Sequence, residues 1–383
     1  MKKICFITTS RADFGMIKII VEEAIKFDKR LKIYLIISGN HNDIFFGKTI
    51  KEIRINKKVK IFKVFSNKRS IDLLSISKIF SELTKKFSSV LSKIRPNIFV
   101  VFGDRYEMLA ATISAFILKI PITHIAGGEK TSGSQDDNFR HSITKFSNLH
   151  FPTSKEHKKR IVQLGENPNT IFNFGSLNRQ KIAQNNFLPK SKLEKKYDFK
   201  FNKKNILMTF HPENLDRKRN VRNLKILLDC LNNLKDCTIV ITSPNADSDG
   251  VYMAKIIKKY IKNKKKFKFI TSLGSRAYVS LLKIVDGVIG NSSSGISEAP
   301  LFSINSINLG NRQKGREKTS SVISCRFNKK IIMKNLKKLK RTSSLIKFRK
   351  NDKSVAKKIL KKIINFNFKK YENKEFRDIK FHL

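Results

Sequence analysis

Residues 3–38, KICFITTSRADFGMIKIIVEEAIKFDKRLKIYLIIS, decide the fold. The apolar run KICFITT (3–9) reads as a buried strand and FGMIKIIVEEAIKF (14–27) as an amphipathic helix. KIYLIIS (32–38) reads as a second strand, and polar SRADFG (10–15) bridges the first strand to the helix. Two wholly apolar strands joined through a helix form the unit of a parallel sheet, because parallel neighbours need a crossover and are covered on both faces.

The same alternation runs outward from this unit. Residues 73–94 carry a helical stripe of Leu73, Leu74, Ile76, Ile79, Phe80, Leu83, Phe87, Val90 and Leu91. NIFVVFGD (97–104) is a strand, YEMLAATISAFIL (106–118) a helix, PITHIAG (121–127) a strand and DDNFRHSITKF (136–146) a helix. The polar, lysine-rich stretch 184–205 interrupts the pattern, which then restarts. NILMTF (205–210), CTIVIT (237–242), FKFIT (267–271), GVIG (287–290) and INSINLG (304–310) read as strands. Helices are expected at 219–234, 250–262 and 276–284, with a short one after 293. The expected architecture is α/β, with two Rossmann-like doubly wound domains facing a cleft. The boundaries are 1–184 for the first domain, 185–204 for a linker and 205–350 for the second. A C-terminal helix and tail, 351–383, are expected to pack back on the first domain.

In such sheets ligands lie beyond the carboxyl ends of the strands. The polar loops fall there: SRADFG, GDRYE (103–107), HIAGGE (124–129), FHPE (210–213), SPNADSDG (243–250) and GNSSSGISE (290–298). In the last of these, Gly290 and Gly295 let backbone approach a ligand. Ser292 and Ser293 offer hydroxyls and amides at a helix start, suited to a phosphate, and Glu298 suits a ribose diol. Plain N-capping by serine is the other account of this loop. His211 is a structural histidine or a phosphate donor. His41 is a weaker candidate, and His157 and His382 read as surface.

The stretch HIAGGEKTSGSQDDNFRHS (124–142) gathers His124, Glu129, Asp136, Asp137, Arg140 and His141. N-capping accounts for one of the two aspartates but not for both. At i, i+4 spacing Asp136 faces Arg140 and Asp137 faces His141. With Asp104 across the cleft, crowded carboxylates push one pKa up and leave an acid beside a base.

The 383 residues hold 81 Lys+Arg against 30 Asp+Glu, a net charge of +51. Two readings compete: a polyanion or membrane-surface partner, or AT-rich codon usage filling exposed positions with lysine in a chain also rich in Ile, Asn and Phe. The lysines are spread out, with denser runs at 257–266 and 336–341, which favours the second. The four cysteines lack C-x-x-C spacing, and no run reaches the length of a membrane span. The Met1 segment meets Arg11 and Asp13 before a signal-peptide core develops. A cytoplasmic protein is expected, with no membrane partner and no specific nucleic acid. No H-E-x-x-H or similar spacing calls for a metal.

SRADFG, GDRYEMLAATISA (103–115), HIAGGEKTSGSQDDNFRHSITK (124–145), HPE (211–213), IGNSSSGISEA (289–299) and INLGNRQKGRE (307–317) stand in order and at compatible spacing. Across about residues 3–325 the chain thereby resembles the UDP-N-acetylglucosamine 2-epimerases. The closest resemblance is to the hydrolysing branch that opens sialic- and legionaminic-acid synthesis. HPE and SGSQDDNFRHS are similar to that branch, where non-hydrolysing relatives usually carry HRREN and a PEE…NR element.

The resemblance implies the two-domain GT-B fold, no metal or other cofactor, a nucleotide-sugar substrate and a homodimer or homotetramer. It implies UDP contacts from Arg11, His211, Ser292, Ser293, Glu298 and Arg316, to which Asn245 is added from SPNADSDG. Asp104 and Asp136 are implied in the chemistry, with Glu129, His124 and His141 beside them. Many members place a carboxylate two residues after the histidine, where this chain has Ala126; Glu129 is the nearest substitute. The implied reaction eliminates UDP to a 2-acetamidoglucal and then adds water, giving the free 2-epimer. UDP-N-acetylglucosamine is the first expected substrate, and a UDP- or GDP-linked 2,4-diacetamido-2,4,6-trideoxyhexose the alternative. A GT-B glycosyltransferase and a nucleic-acid or membrane-surface binder are the rival classes.

Overall fold

The computed structural model describes residues 1–27, 31–43, 48–67, 73–131, 135–213, 216–244, 250–341 and 350–379. The first sheet contains β1 (Lys2–Thr8), β2 (Leu31–Ile37), β3 (Val59–Lys63), β4 (Ile98–Phe102), β5 (Ile122–Ile125) and β6 (Leu149–Phe151), in the order β3-β2-β1-β4-β5-β6. The second contains β7 (Lys204–Thr209), β8 (Cys237–Thr242), β9 (Phe267–Ile270), β10 (Gly287–Gly290), β11 (Asn305–Leu309) and β12 (Val322–Cys325), in the order β12-β11-β10-β7-β8-β9. Every pairing is parallel. These are the two doubly wound α/β lobes of a GT-B fold.

Strand pleating explains the uninterrupted apolar runs. Ile4 and Phe6 of β1 enter one core with helix Arg11–Phe27, while Cys5 and Ile7 enter another with helix Leu73–Ile94. In the second lobe Ile206 and Met208 point to one core and Leu207 to the other. A strand covered on both faces has no polar side to show.

Chain order reverses twice, between β1 and β4 and between β7 and β10. Each reversal opens a crevice at the carboxyl ends of the two central strands, the usual ligand seat of such sheets.

Residues 185–204 are integral to the second lobe. They include helix Lys190–Tyr197, and Leu193 and Phe201 are buried in its core. The helix buries Leu193 alone, so its sequence shows no periodic stripe. Helix Val355–Asn365 lays Val355, Ala356, Ile359, Leu360 and Ile363 into the first-lobe core. Each fully buried large aliphatic side chain there contributes about 1.5–3 kcal/mol. Among the described residues no helix is long and apolar enough to cross a membrane.

Candidate active site

The loop after β1 is shaped by Asp13. Its carboxylate accepts from the Thr9 amide (3.2 Å), the Thr9 and Ser10 hydroxyls (2.9 Å each) and the Thr8 hydroxyl. Burial pushes Asp13 up to about 6 against the pull of these donors. The loop turns Arg11 toward the other lobe, where its guanidinium donates to Ser272.

Beyond β4, Gly103 takes a left-handed φ of 87°. Its carbonyl accepts from His124 Nε2 at 2.9 Å, and His124 Nδ1 meets the Thr144 hydroxyl at 3.1 Å. Burial lowers His124 to about 3, so the ring is neutral and braces the Gly103–Asp104 turn from below. Asp104 accepts from Arg140. Arg105 forks onto Glu107 (2.9 and 3.0 Å) and acts electrostatically on Asp136.

Arg140 lies fully buried in helix Asp136–Phe146. Besides Asp104 it donates to the Thr131 hydroxyl (2.6 Å), the Glu129 carbonyl (2.8 Å) and Asp137 (3.1 Å). The charge network at this helix start therefore includes an i, i+3 pair, with His141 Nε2 at 3.8 Å from the same Asp137. Asp137 also accepts from the Thr131 amide, folding the loop back onto the helix. Glu129 sends its carboxylate across the cleft to Arg316, at 3.2 Å. Ala126 stands at a left-handed φ of 66°.

In the second lobe, Asn291 clamps the His211 backbone, accepting from its amide and donating to its carbonyl, both at 2.7 Å. Burial and the nearby Arg312 charge hold the His211 imidazole well below its ordinary pKa. Glu213 accepts from the amides of Asn311 (3.4 Å) and Arg312 (3.2 Å), fixing the loop that carries Arg316. Gly290 is obligatory here: a Cβ would lie 1.9 Å from the Thr209 carbonyl oxygen. Ser292 and Ser293 precede a single helical turn, Ser294–Ser297, and Glu298 follows it. The helix expected after this loop is thus one turn long, so any phosphate seat rests on hydroxyls and amides more than on a dipole.

A cavity of about 460 Å³ joins the two crevices. Arg11, Asp104 and Asp136 border it from the first lobe, and His211, Ser292, Ser293, Glu298 and Arg316 from the second. His124, Glu129 and His141 lie outside its lining, and Asn245 lies outside the described residues. His157 is buried, its Nδ1 3.0 Å from the Thr153 hydroxyl, and so is not a surface residue. The lining also includes residues that the sequence did not single out: Lys181, Tyr278, Arg312 and Gln313. Among the described residues no group of three or more His, Cys, Asp or Glu side chains converges as a metal site would.

A sequence model described as UDP-N-acetylglucosamine 2-epimerase matches residues 23–364. The chain belongs to this family. The GDP/UDP-N,N'-diacetylbacillosamine 2-epimerase (hydrolyzing) of Campylobacter jejuni is 40% identical over 332 residues, 85% of each chain. The polysialic acid biosynthesis protein P7 of Escherichia coli is 34% identical over 337 residues, 88% of this chain and 85% of its own. These relatives agree with the hydrolysing branch. The structure of UDP-GlcNAc 2-epimerase from Neisseria meningitidis bound to UDP-GlcNAc shares the fold, with a TM-score of 0.75 at 16% identity, over 95% of this chain and all of that one. The chain is an enzyme, a hydrolysing 2-epimerase.

Proposed function

We propose that this epimerase acts on a UDP- or GDP-linked 2,4-diacetamido-2,4,6-trideoxyhexose, releasing the nucleotide and the free 2-epimeric sugar. The chemistry rests on one observation: Asp104 and Asp136 border the same cavity as His211, Ser292, Ser293 and Arg316. Bond breaking at C1 and proton loss at C2 can then take place within one bound sugar. The choice of sugar is supported by the 40% identity to the diacetylbacillosamine enzyme. UDP-N-acetylglucosamine is the second reading, favoured by the relative named for polysialic acid synthesis.

A C2–H with no adjacent carbonyl is barely acidic, so departure of the nucleotide must lead. The C1–O bond breaks with its electron pair leaving on the diphosphate, and charge builds at C1 and O5. Arg11, Arg316 and the serine loop stabilise the departing diphosphate. A carboxylate, Asp104 or Asp136, takes the C2 proton, leaving a C1=C2 double bond. Water then adds hydroxide at C1, and a proton returns to C2 from the opposite face, which inverts that centre. His124, neutral and buried, keeps the Asp104 turn in place.

Incubation with each nucleotide sugar in deuterated water, followed by NMR, tests the proposal. Nucleotide release together with a free 2-epimer deuterated at C2 is expected, fastest with the diacetamido sugar. Nucleotide release only in the presence of a sugar acceptor would identify a glycosyltransferase instead.

A further inference from the structure

Lys181 is a cavity-lining cation with no role in the scheme so far. It stands on helix Leu177–Ala183, which belongs to both lobes: Leu177 is buried in a first-lobe core and Ile182 in a second-lobe core. The helix is tied from outside. Arg179 pairs with Asp352 (2.9 Å), and Gln180 Oε1 accepts from the Ala356 amide (2.7 Å). The backbone under Lys181 is therefore held, and its side chain is directed into the cleft. Gly15 makes room for it: a Cβ there would lie 3.1 Å from Lys181 Nζ and 3.3 Å from Cε.

Among the described residues the Lys181 ammonium has no hydrogen-bond acceptor and no ion pair within bonding distance. Glu298 attracts it and Arg11 repels it from the same cavity wall. Burial lowers its pKa, so the ammonium sits at a cost that the Glu298 charge offsets only in part. Two cations facing one carboxylate leave one excess positive charge, an arrangement that suits an anion. The only such group on a nucleotide sugar is the diphosphate.

We infer that Lys181 contacts the diphosphate of the substrate, a residue of the lobe-bridging helix paired in this task with Arg11. The inference rests on the nucleotide-sugar reading above. Because the diphosphate gains a negative charge as the C1–O bond breaks, the contact strengthens toward the transition state. Lys181 is thereby a catalytic residue acting on the leaving group, while Glu298 remains available to the ribose.

The test uses Lys181→Met and Lys181→Arg in the full chain, with UDP, uridine and inorganic pyrophosphate as probes. Lys181→Met is expected to weaken UDP and pyrophosphate binding by about 10-fold or more and to leave uridine unchanged. It should cut kcat by about 10²-fold, the scale for losing one preorganised charge donor, with Lys181→Arg recovering part of the loss. The melting temperature of unliganded Lys181→Met should stay level or rise, since a buried charge compensated only in part is removed; a purely structural lysine would lower it. UDP and pyrophosphate affinities equal to wild type would overturn the inference, as would equal losses for UDP and uridine. Wild-type protein that binds pyrophosphate through Lys181 but not UDP would keep the anion contact and refute the nucleotide-sugar reading. Binding of neither probe by wild type would refute both.

Discussion

Arg140 joins Asp104 to the loop and helix that carry Asp136. One guanidinium nitrogen donates to Asp104, and the other is shared among Thr131, the Glu129 carbonyl and Asp137. A fully buried arginine thus fixes two acid-bearing loops that arise from different strands. Arg140→Met leaves Asp104 and Asp137 without this partner and is expected to lower stability in urea unfolding. Arg140→Lys keeps the charge but not the fork, so it should recover part of the stability while turnover stays low. Full turnover in Arg140→Lys would show that the fork does not position Asp104.

Asp104→Asn and Asp136→Asn remove the two cavity-lining acids proposed for proton transfer. Each is expected to lower turnover by at least ~10²-fold, the usual scale for a general acid or base. UDP affinity, measured by calorimetry, should remain near wild type, because neither aspartate is among the groups assigned to the nucleotide. Near-normal turnover in both variants would remove them from the chemistry.

The sheets were legible because their central strands are apolar on both faces, as in Cys5–Ile7 and Ile239–Ile241. β3 and β12 stand at sheet edges, β12 with no fully buried residue, and carried no such run. Loops that follow central strands were readable for the same reason, so Asp104, His211 and Ser292 could be singled out. Lys181 follows no strand and stands on a short helix, and only the meeting of the lobes brings it to the site. His124 looked like a reactive group because sequence carries no sign of depth; with both ring nitrogens partnered it is a brace.

Glu129 and Arg316 bridge the lobes at 3.2 Å, linking the acid loop to the nucleotide loop. Cleft geometry then depends on the pair more than on either residue. A double-mutant cycle with Glu129→Gln and Arg316→Gln, read in kcat/KM, is expected to show an interaction energy of about 0.5–3 kcal/mol. Strict additivity would mean that the two residues act independently.

Gly290 and Gly103 offer a controlled comparison. Both have positive φ, 136° and 87°, but a Cβ at Gly290 meets the Thr209 carbonyl while one at Gly103 meets nothing within 4 Å. Gly103→Ala should cost only backbone strain, of order 1–3 kcal/mol. Gly290→Ala must part β7 from β10 at the nucleotide crevice, and is expected to be the more damaging of the two in thermal unfolding and in UDP binding. The reverse order would argue against this crevice.

Glu166 governs acid stability. It is buried and accepts from His150 (3.1 Å) and Lys374 (2.8 Å), with Lys145 at 2.9 Å, so that the C-terminal segment bearing Lys374 is tied to the first lobe. Burial alone would raise its pKa, but the His150 hydrogen bond and the lysine charges outweigh it and hold the group at about 2. The unfolded chain takes up this proton near the ordinary value of 4.5, so between about 4.5 and 2 it binds more protons than the folded state. Stability from Glu166 is therefore complete above 4.5 and is lost as pH falls through 2. Glu166→Gln should be less stable than wild type at pH 7, since it leaves the half-buried Lys374 without its carboxylate partner. The gap should narrow as pH drops from 4.5 toward 2, in denaturant unfolding at matched salt. A gap that stays constant over that window would show that Glu166 titrates alike in both states and that its partners do not hold it ionised.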